Sequence, residues 1–343
     1  MGSLRLGLAA LGAVMLLAML AYYLWLSSRQ TRQRVADPAD GTAEQPAVEP
    51  TLDVDALSAS LPASDFDLPL PEKKPSLDAL IDALAPISLD TPVSGEAVLA
   101  ALPPTRRVGS KPFAVEGLNA DSNCWESARA SQRYTALQAG VQLANRSGAL
   151  NDIEFSEFVM QTQQFCDVLA GTPDFPDMRS EVARARELDQ FASEHDAQIG
   201  FVLRARRAAW SASYIQQMAS RLGFIAGAIA GRMVLPASVA GAPAVLMLSF
   251  DVLSDDLAQA ALRDVNLALD VPQVDRNERA FARMCETAIA LARDMDGVVT
   301  DDNGMALPGS AMDVIANELE QLYNTLEQHE FAAGSALARR LFS

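Results

Sequence analysis

The sequence predicts a mixed α+β protein carried on an N-terminal membrane helix. Three observations point there: an uncharged apolar run at residues 6–26, a proline-rich acidic stretch behind it, and, from about Thr105, short strand-like and helical segments in alternation.

The run from Leu6 to Leu26 is 21 residues long. About 20 helical residues cross a bilayer core. Tyr22, Tyr23 and Trp25 stand at its end, where aromatic rings favour the membrane interface. Arg29, Arg32 and Arg34 follow at once, against Arg5 alone before it. Basic residues stay on the cytoplasmic side, so residues 1–5 are expected outside the inner membrane and the bulk of the chain in the cytoplasm. A cleaved signal peptide fits less well, because its charge would precede the apolar run and a small-residue cleavage site would follow.

Residues 27–104 form the next unit, a basic juxtamembrane stretch and then a linker. Between 36 and 104 lie 11 of the 18 prolines and 13 acids, with Lys73 and Lys74 the only bases. Proline interrupts helices and like charges repel, so an extended, mostly disordered tether is expected. Its extended reach is on the order of 200 Å. Two patches inside it, SLDALIDALAP and EAVLAAL, have helical spacing and could fold transiently or against a partner, but weakly apolar linker is the favoured reading of both.

Residues 105–196 read as an α+β accessory unit. SKPFAVEG and RYTALQAGVQLA are strand-like. A helix follows through Phe155, Phe158, Val159, Phe165 and Leu169, stopped at Gly171, and Pro176 opens another through Met178, Val182, Ala185 and Ala192. The order strand, helix, turn, helix at 133–194 echoes the order at 264–327, so residues 105–196 are expected to be a degenerate, partial copy of residues 197–328.

Residues 197–328 form the second unit. Ile199, Phe201, Leu203 and Ala205 alternate as a strand, and a helix runs through WSASYIQQMASRLG. Gly223, Gly227 and Gly231 are four apart, which invites a membrane-helix reading, but Arg232, Pro236 and Pro243 favour short strands bent at glycines. PAVLMLSF and DVNLALDV supply two more strands. In the latter, Val265, Leu267, Leu269 and Val271 face one side and Asn266, Ala268 and Asp270 the other. Asp275 with Glu278 has capping-box spacing, and Phe281, Met284, Cys285, Ala288, Ala292 and Met295 make one helical stripe. Ser310 is placed to cap a last helix through Met312, Ile315, Leu319, Leu322 and Leu326, and residues 329–343 remain as a tail.

DMDGVVTD at 294–301 resembles the nucleophile loop of a haloacid-dehalogenase-type phosphatase, with Asp294 and Asp296 as the acids. The context is wrong for it. An amphipathic helix precedes the acids, where that loop caps a buried parallel strand, and no lysine follows Lys111. A helix end, a short VVT strand and a turn at Asp302-Asn303-Gly304 account for the stretch. No catalytic residue, metal, cofactor or small-molecule substrate is expected. A formal charge of −17 argues against nucleic acid. Cys124, Cys166 and Cys285 form no CxxC pair, and His195 and His329 are far apart in sequence, which disfavours a metal site or a catalytic triad.

Three segments carry a resemblance: QMASRLGF, LALDVPQVDRNERAFARM and, above all, MDGVVTDDNGMALPGSAMDVI. With the layout of short N-terminus, single anchor, Pro-rich acidic linker and C-terminal domain, they make the chain similar to the bacterial ZipA cell-division family. The resemblance implies a mostly antiparallel sheet with three helices packed on one face. It implies that the open face binds the C-terminal tail of FtsZ, the tubulin-like division protein, at the septum. Carried onto this sequence, the binding face would comprise Ile229, Gly231, Met233, Val245, Met247, Ser249, Asn266 and Ala268. Ala268 stands where the family pattern has a large aromatic, and Ser249 and Asp251 add polarity. The other occupant that face could have is the chain's own 105–196 unit, leaving the protein as an anchored scaffold for a different divisome or envelope partner.

Overall fold

The computed structural model describes residues 77–251, 261–301 and 303–343. The expected membrane span and the linker up to residue 76 lie outside them. Among the described residues no helix is long and apolar enough to cross a membrane. All described elements belong to one compact unit, residues 70–343.

Two antiparallel six-stranded sheets make up that unit. The first contains β1 (Asp82–Ser94), β2 (Arg107–Val108), β3 (Lys111–Asn119), β4 (Trp125–Ser127), β5 (Arg133–Gln142) and β8 (Gly171–Pro173), in the order β2-β3-β5-β1-β8 with β4 beside β3. A small hairpin, β6 (Ala144–Asn145) and β7 (Gly148–Ala149), comes after β5. Helices α1 (Gly95–Ala101), α2 (Asp152–Leu169) and α3 (Met178–His195) belong to this half. Its core joins the inward sides of β1, β3 and β5 to Phe155, Phe158 and Phe165 of α2 and Val182 and Ala185 of α3. Asn151 and Glu154 form the capping box that starts α2. Glu154 also accepts from the Ser110 N–H and hydroxyl, each at 2.8 Å, which ties the helix start to the edge of β3.

The second sheet has the order β10-β11-β12-β13-β9-β14. Its strands are β9 (Gln198–Ala205), β10 (Ile225–Ala226), β11 (Arg232–Leu235), β12 (Leu246–Ser249), β13 (Asp264–Asp270) and β14 (Gly297–Thr300), and its helices are α4 (Ala212–Arg221), α5 (Ala280–Asp294) and α6 (Gly309–Gln328). The alternation read in β13 is the one observed: Val265, Leu267 and Leu269 are buried, Asn266 and Ala268 exposed. The buried faces of α4, α5 and α6 share one core with them.

Several sequence expectations need correction. The stretch expected to be linker up to residue 104 is folded from residue 77 onward. SLDALIDALAP forms a turn and the start of β1, not a helix, because Ala83, Ala85 and Ile87 alternate into the core. Pro92 falls in the irregularity where the register of β1 on β5 breaks between Ser88 and Val93. EAVLAAL, expected to be linker despite its helical spacing, lies in helix α1.

Residues 329–343 are not a tail. They form α7 (Ala336–Leu341), whose Leu341 is fully buried along with the following Phe342. Gln142 Nε2 donates to the Arg340 carbonyl at 2.8 Å and Gln273 Nε2 to the Phe342 carbonyl at 2.6 Å, so both halves hold this segment. Arg340 pairs with the fully buried Asp82 carboxylate at 2.5 Å. Arg146, from the β6–β7 hairpin, bridges Asp196 at 2.6 Å and Asp270 at 2.7 Å.

The remaining corrections concern caps. Asp275 caps a single 3-10 turn, and α5 begins only after Arg279, which has φ +51°. Glu278 turns away to accept from Ser238 and Arg283. At α6, Pro308 precedes the first helical residue and no side chain caps it, so Ser310 is already inside the helix.

Candidate functional site

Register decides which side chains reach the open face of the second sheet. Val234, Met247, Ala268 and Gly200 stand opposite one another across β11, β12, β13 and β9, and Ile225 of β10 extends the row. Side chains so aligned lie about 5 Å apart and act as one surface. The next row on the same face is Arg232, Ser249, Asn266 and Val202. Beyond it Arg204 Nε pairs with Asp264 Oδ1 at 2.8 Å. The face therefore grades from an apolar stripe through a polar row to an ion pair.

Of the eight residues expected on this face, four lie there: Met247, Ser249, Asn266 and Ala268. Met247 is 42% exposed. Ile229 is exposed too, but in the turn before β11, where its carbonyl accepts from the Arg232 N–H at 3.1 Å. Gly231, Met233 and Val245 do not belong to the face. Met233 lies opposite Leu248 and is buried in the core, as is Val245. Gly231 is a buried turn residue with φ +77°, a conformation that costs glycine little. Strand alternation does not carry through a turn, and counting two by two from Ile229 crosses one.

The residues missed are Gly200, Val202, Ile225 and Val234. A signal for two of them was present, since Gly200 and Val202 interleave with the core residues Ile199, Phe201 and Leu203. A shallow depression of about 480 Å³ lies over Gly200, Met247 and Ala268, rimmed by Gln198, Ala244 and Asp270. Among the described residues nothing covers this face, so the 105–196 unit is not its occupant. An apolar stripe left exposed on a folded sheet marks a place for a partner.

Arg232 contributes a positive charge to the face, with no ion-pair partner among the described residues. The helix side holds a second concavity, about 490 Å³ between α5 and α6, lined by Phe281, Cys285, Ile289, Met312 and Tyr323 among others.

The acids of DMDG sit as the helix-end reading requires. Asp294 is the last residue of α5 and pairs with Arg293 at 2.7 Å. Asp296, at φ +51°, pairs with Arg207 at 2.8 Å. Those hydrogen bonds hold both carboxyls below their ordinary range. Asp301 accepts from the Asn303 and Met305 N–H groups and so shapes the turn. The two histidines, distant in sequence, both pack on Phe191, and each Nδ1 sits against a carbonyl of its own helix. The cysteines are free, and burial pushes the Cys166 thiol up to about 11.

Residues 250–318 match the family model of the ZipA C-terminal FtsZ-binding domain, a span containing β13, α5, β14 and the first half of α6. No curated protein matches the chain. By this C-terminal segment the chain is similar to the FtsZ-binding domain of the ZipA family.

Proposed function

We propose that the protein tethers FtsZ filaments to the inner membrane at the division septum, anchored through residues 6–26 and binding the C-terminal tail of FtsZ on the open face of the second sheet. The observation that carries this reading is the uncovered apolar row Val234–Met247–Ala268–Gly200 within a ZipA-type domain. A helical tail segment laid across that row would bury apolar side chains against Met247 and the flat surface at Ala268 and Gly200, which is helix-in-groove recognition. Methionine suits such a contact because its unbranched side chain adapts to its partner. The small Ala268 lets the backbone of a ligand approach more closely than a large aromatic would.

Nothing in this role calls for chemistry. Binding positions a polymer, and a membrane-held domain meets many tails along each filament, so a modest affinity per site suffices. Attraction between net charges contributes little, because the chain is strongly acidic. Apolar burial supplies the affinity at roughly 25 cal/mol per Å². A full-length fluorescent fusion should concentrate at midcell only while FtsZ rings are present. Midcell fluorescence that persists after the rings are depleted would refute the proposal.

A further inference from the structure

The two halves share a strand order and a register. In the first half the path is β2-β3-β5-β1-β8; in the second, setting β10 aside, it is β11-β12-β13-β9-β14. The elements also come in the same succession from β1 and from β9. Each central strand leads through a helix to antiparallel neighbours, then to a long helix, a short edge strand and a last helix. The ends of the long helices coincide in detail. Ala170 at φ +52° precedes Gly171, and Asp296 at φ +51° precedes Gly297. With Gly171 set on Gly297, Phe155, Phe158 and Phe165 of α2 fall on Phe281, Met284 and Leu291 of α5, all six buried. The likeness in topology extends beyond the residues 105–196 in which it was expected, since its central strand, β1, lies in the stretch read as linker.

Hydrogen-bond register then maps one outer face onto the other. Gly171 pairs with Leu89 and Gly297 with Ala205, which places Leu84 at the position of Gly200. Leu84 pairs with Gly140 and Gly140 with Ala114. The row Ala114–Gly140–Leu84 is therefore the counterpart of Met247–Ala268–Gly200. On the second sheet no described residue covers that row. On the first it is occupied. Leu77 is 6% exposed, and a Cβ added to Gly140 would stand 2.5 Å from a methyl of Leu77. The Leu77 N–H donates to Glu116 Oε1 at 3.2 Å, and Gln138 Nε2 donates to the other oxygen of the same buried carboxylate at 3.0 Å.

The local sequence explains the difference. Asp78 N–H donates to the Asp82 carboxylate, and the Ile81 and Asp82 N–H groups return to the Asp78 carbonyl, a tight turn that doubles the chain back over β1. Before β9 no such turn exists, because α3 ends at His195 and the strand begins at Gln198. We propose that the outer face of the first sheet is a second peptide-docking surface of the same kind, held shut by the chain's own Leu77. The proposal rests on the reading of the second sheet's face given above. Among the described residues the plug consists of the Leu77 side chain and the hydrogen bond from its N–H to Glu116, which an incoming peptide would have to displace.

Titrating a synthetic FtsZ C-terminal tail peptide into the full-length chain in lipid nanodiscs tests this. Wild type should bind one peptide per chain and Leu77→Ala two. Ala268→Asp should bind none, and the Leu77→Ala/Ala268→Asp double variant one. A stoichiometry of one in Leu77→Ala with none in the double variant overturns the proposal. A free peptide of residues 70–82 should bind Leu77→Ala and not wild type, and its failure to bind also overturns it, whatever the tail does. Wild type that binds no tail would refute the second-sheet reading instead. Should Leu77→Ala lose its cooperative melting, Glu116→Ala, which removes the acceptor of the Leu77 N–H, gives the same comparison.

Discussion

Phe342, next to last in the chain, should behave as a core residue of both halves. It is fully buried in the cluster that contains Phe201 and Leu267 of the second sheet together with Ile81 and Ala144 of the first half. A buried aromatic removes about 150–250 Å² from water. At about 25 cal/mol per Å² that is roughly 4–6 kcal/mol, of which alanine would retain a small part. Phe342→Ala also leaves a void that backbone bonds on either side hinder from collapsing. The expected loss is about 3–5 kcal/mol, a large share of the ~5–15 kcal/mol that holds a typical protein folded. Urea denaturation of the full-length chain in mild detergent should show a midpoint lower by about 1 M or more. Ser343→Ala, one residue on and exposed, should stay within about 0.5 kcal/mol of wild type. A Phe342→Ala midpoint indistinguishable from that control would refute the account of the C-terminal segment as part of the core.

Two further outcomes rest on the same geometry. Burial raises the Asp82 carboxyl above its ordinary 3.8 although the Arg340 guanidinium pulls it down, so the folded state holds that proton more tightly than the unfolded chain. The stability this proton confers is present below 3.8 and is lost as pH rises through the raised value, so Asp82→Asn, which removes that loss, should make stability climb more steeply with pH across this window, and an unchanged slope would contradict this. Asp294→Asn should alter stability by no more than about 0.5 kcal/mol and leave tail binding unchanged, because the pair with Arg293 is exposed; metal-dependent phosphoester hydrolysis abolished by that substitution would restore the phosphatase reading.

Much of the second half was legible because each of its elements shows one clean period. Asp264–Asp270 alternates without interruption, so its two faces could be assigned residue by residue. The helix at Ala280–Asp294 was equally clear from Phe281 and Met284 onward, although its cap was not, since Glu278 had an alternative partner in Ser238 that only tertiary structure supplies. The open face was half legible. Ala268 and Asn266 follow from β13 alone, whereas Met233 required knowing that a turn at Gly231 resets the alternation. The first half was obscured at β1. Leu77, Leu80, Ile81 and Leu84 have helical spacing, yet Leu77 and Leu84 meet on one side of a sheet because a turn at Asp78 folds the first over the second. The buried role of Leu341 and Phe342 leaves no local periodic signal, since six helical residues are too few to show a face.

The central claim is that the FtsZ tail lies on the row Val234–Met247–Ala268–Gly200. Isothermal titration of the full-length chain with the tail peptide tests it most directly. Met247→Ala should weaken binding by about 1–2 kcal/mol, roughly tenfold in Kd. Ala268→Asp should weaken it more, because the carboxylate would be buried without a partner under the ligand. Raising the salt concentration should change either affinity little. Undiminished binding in both variants would contradict the claim and move the tail elsewhere, with the groove between α5 and α6 at Phe281, Ile289 and Met312 as the next place to look.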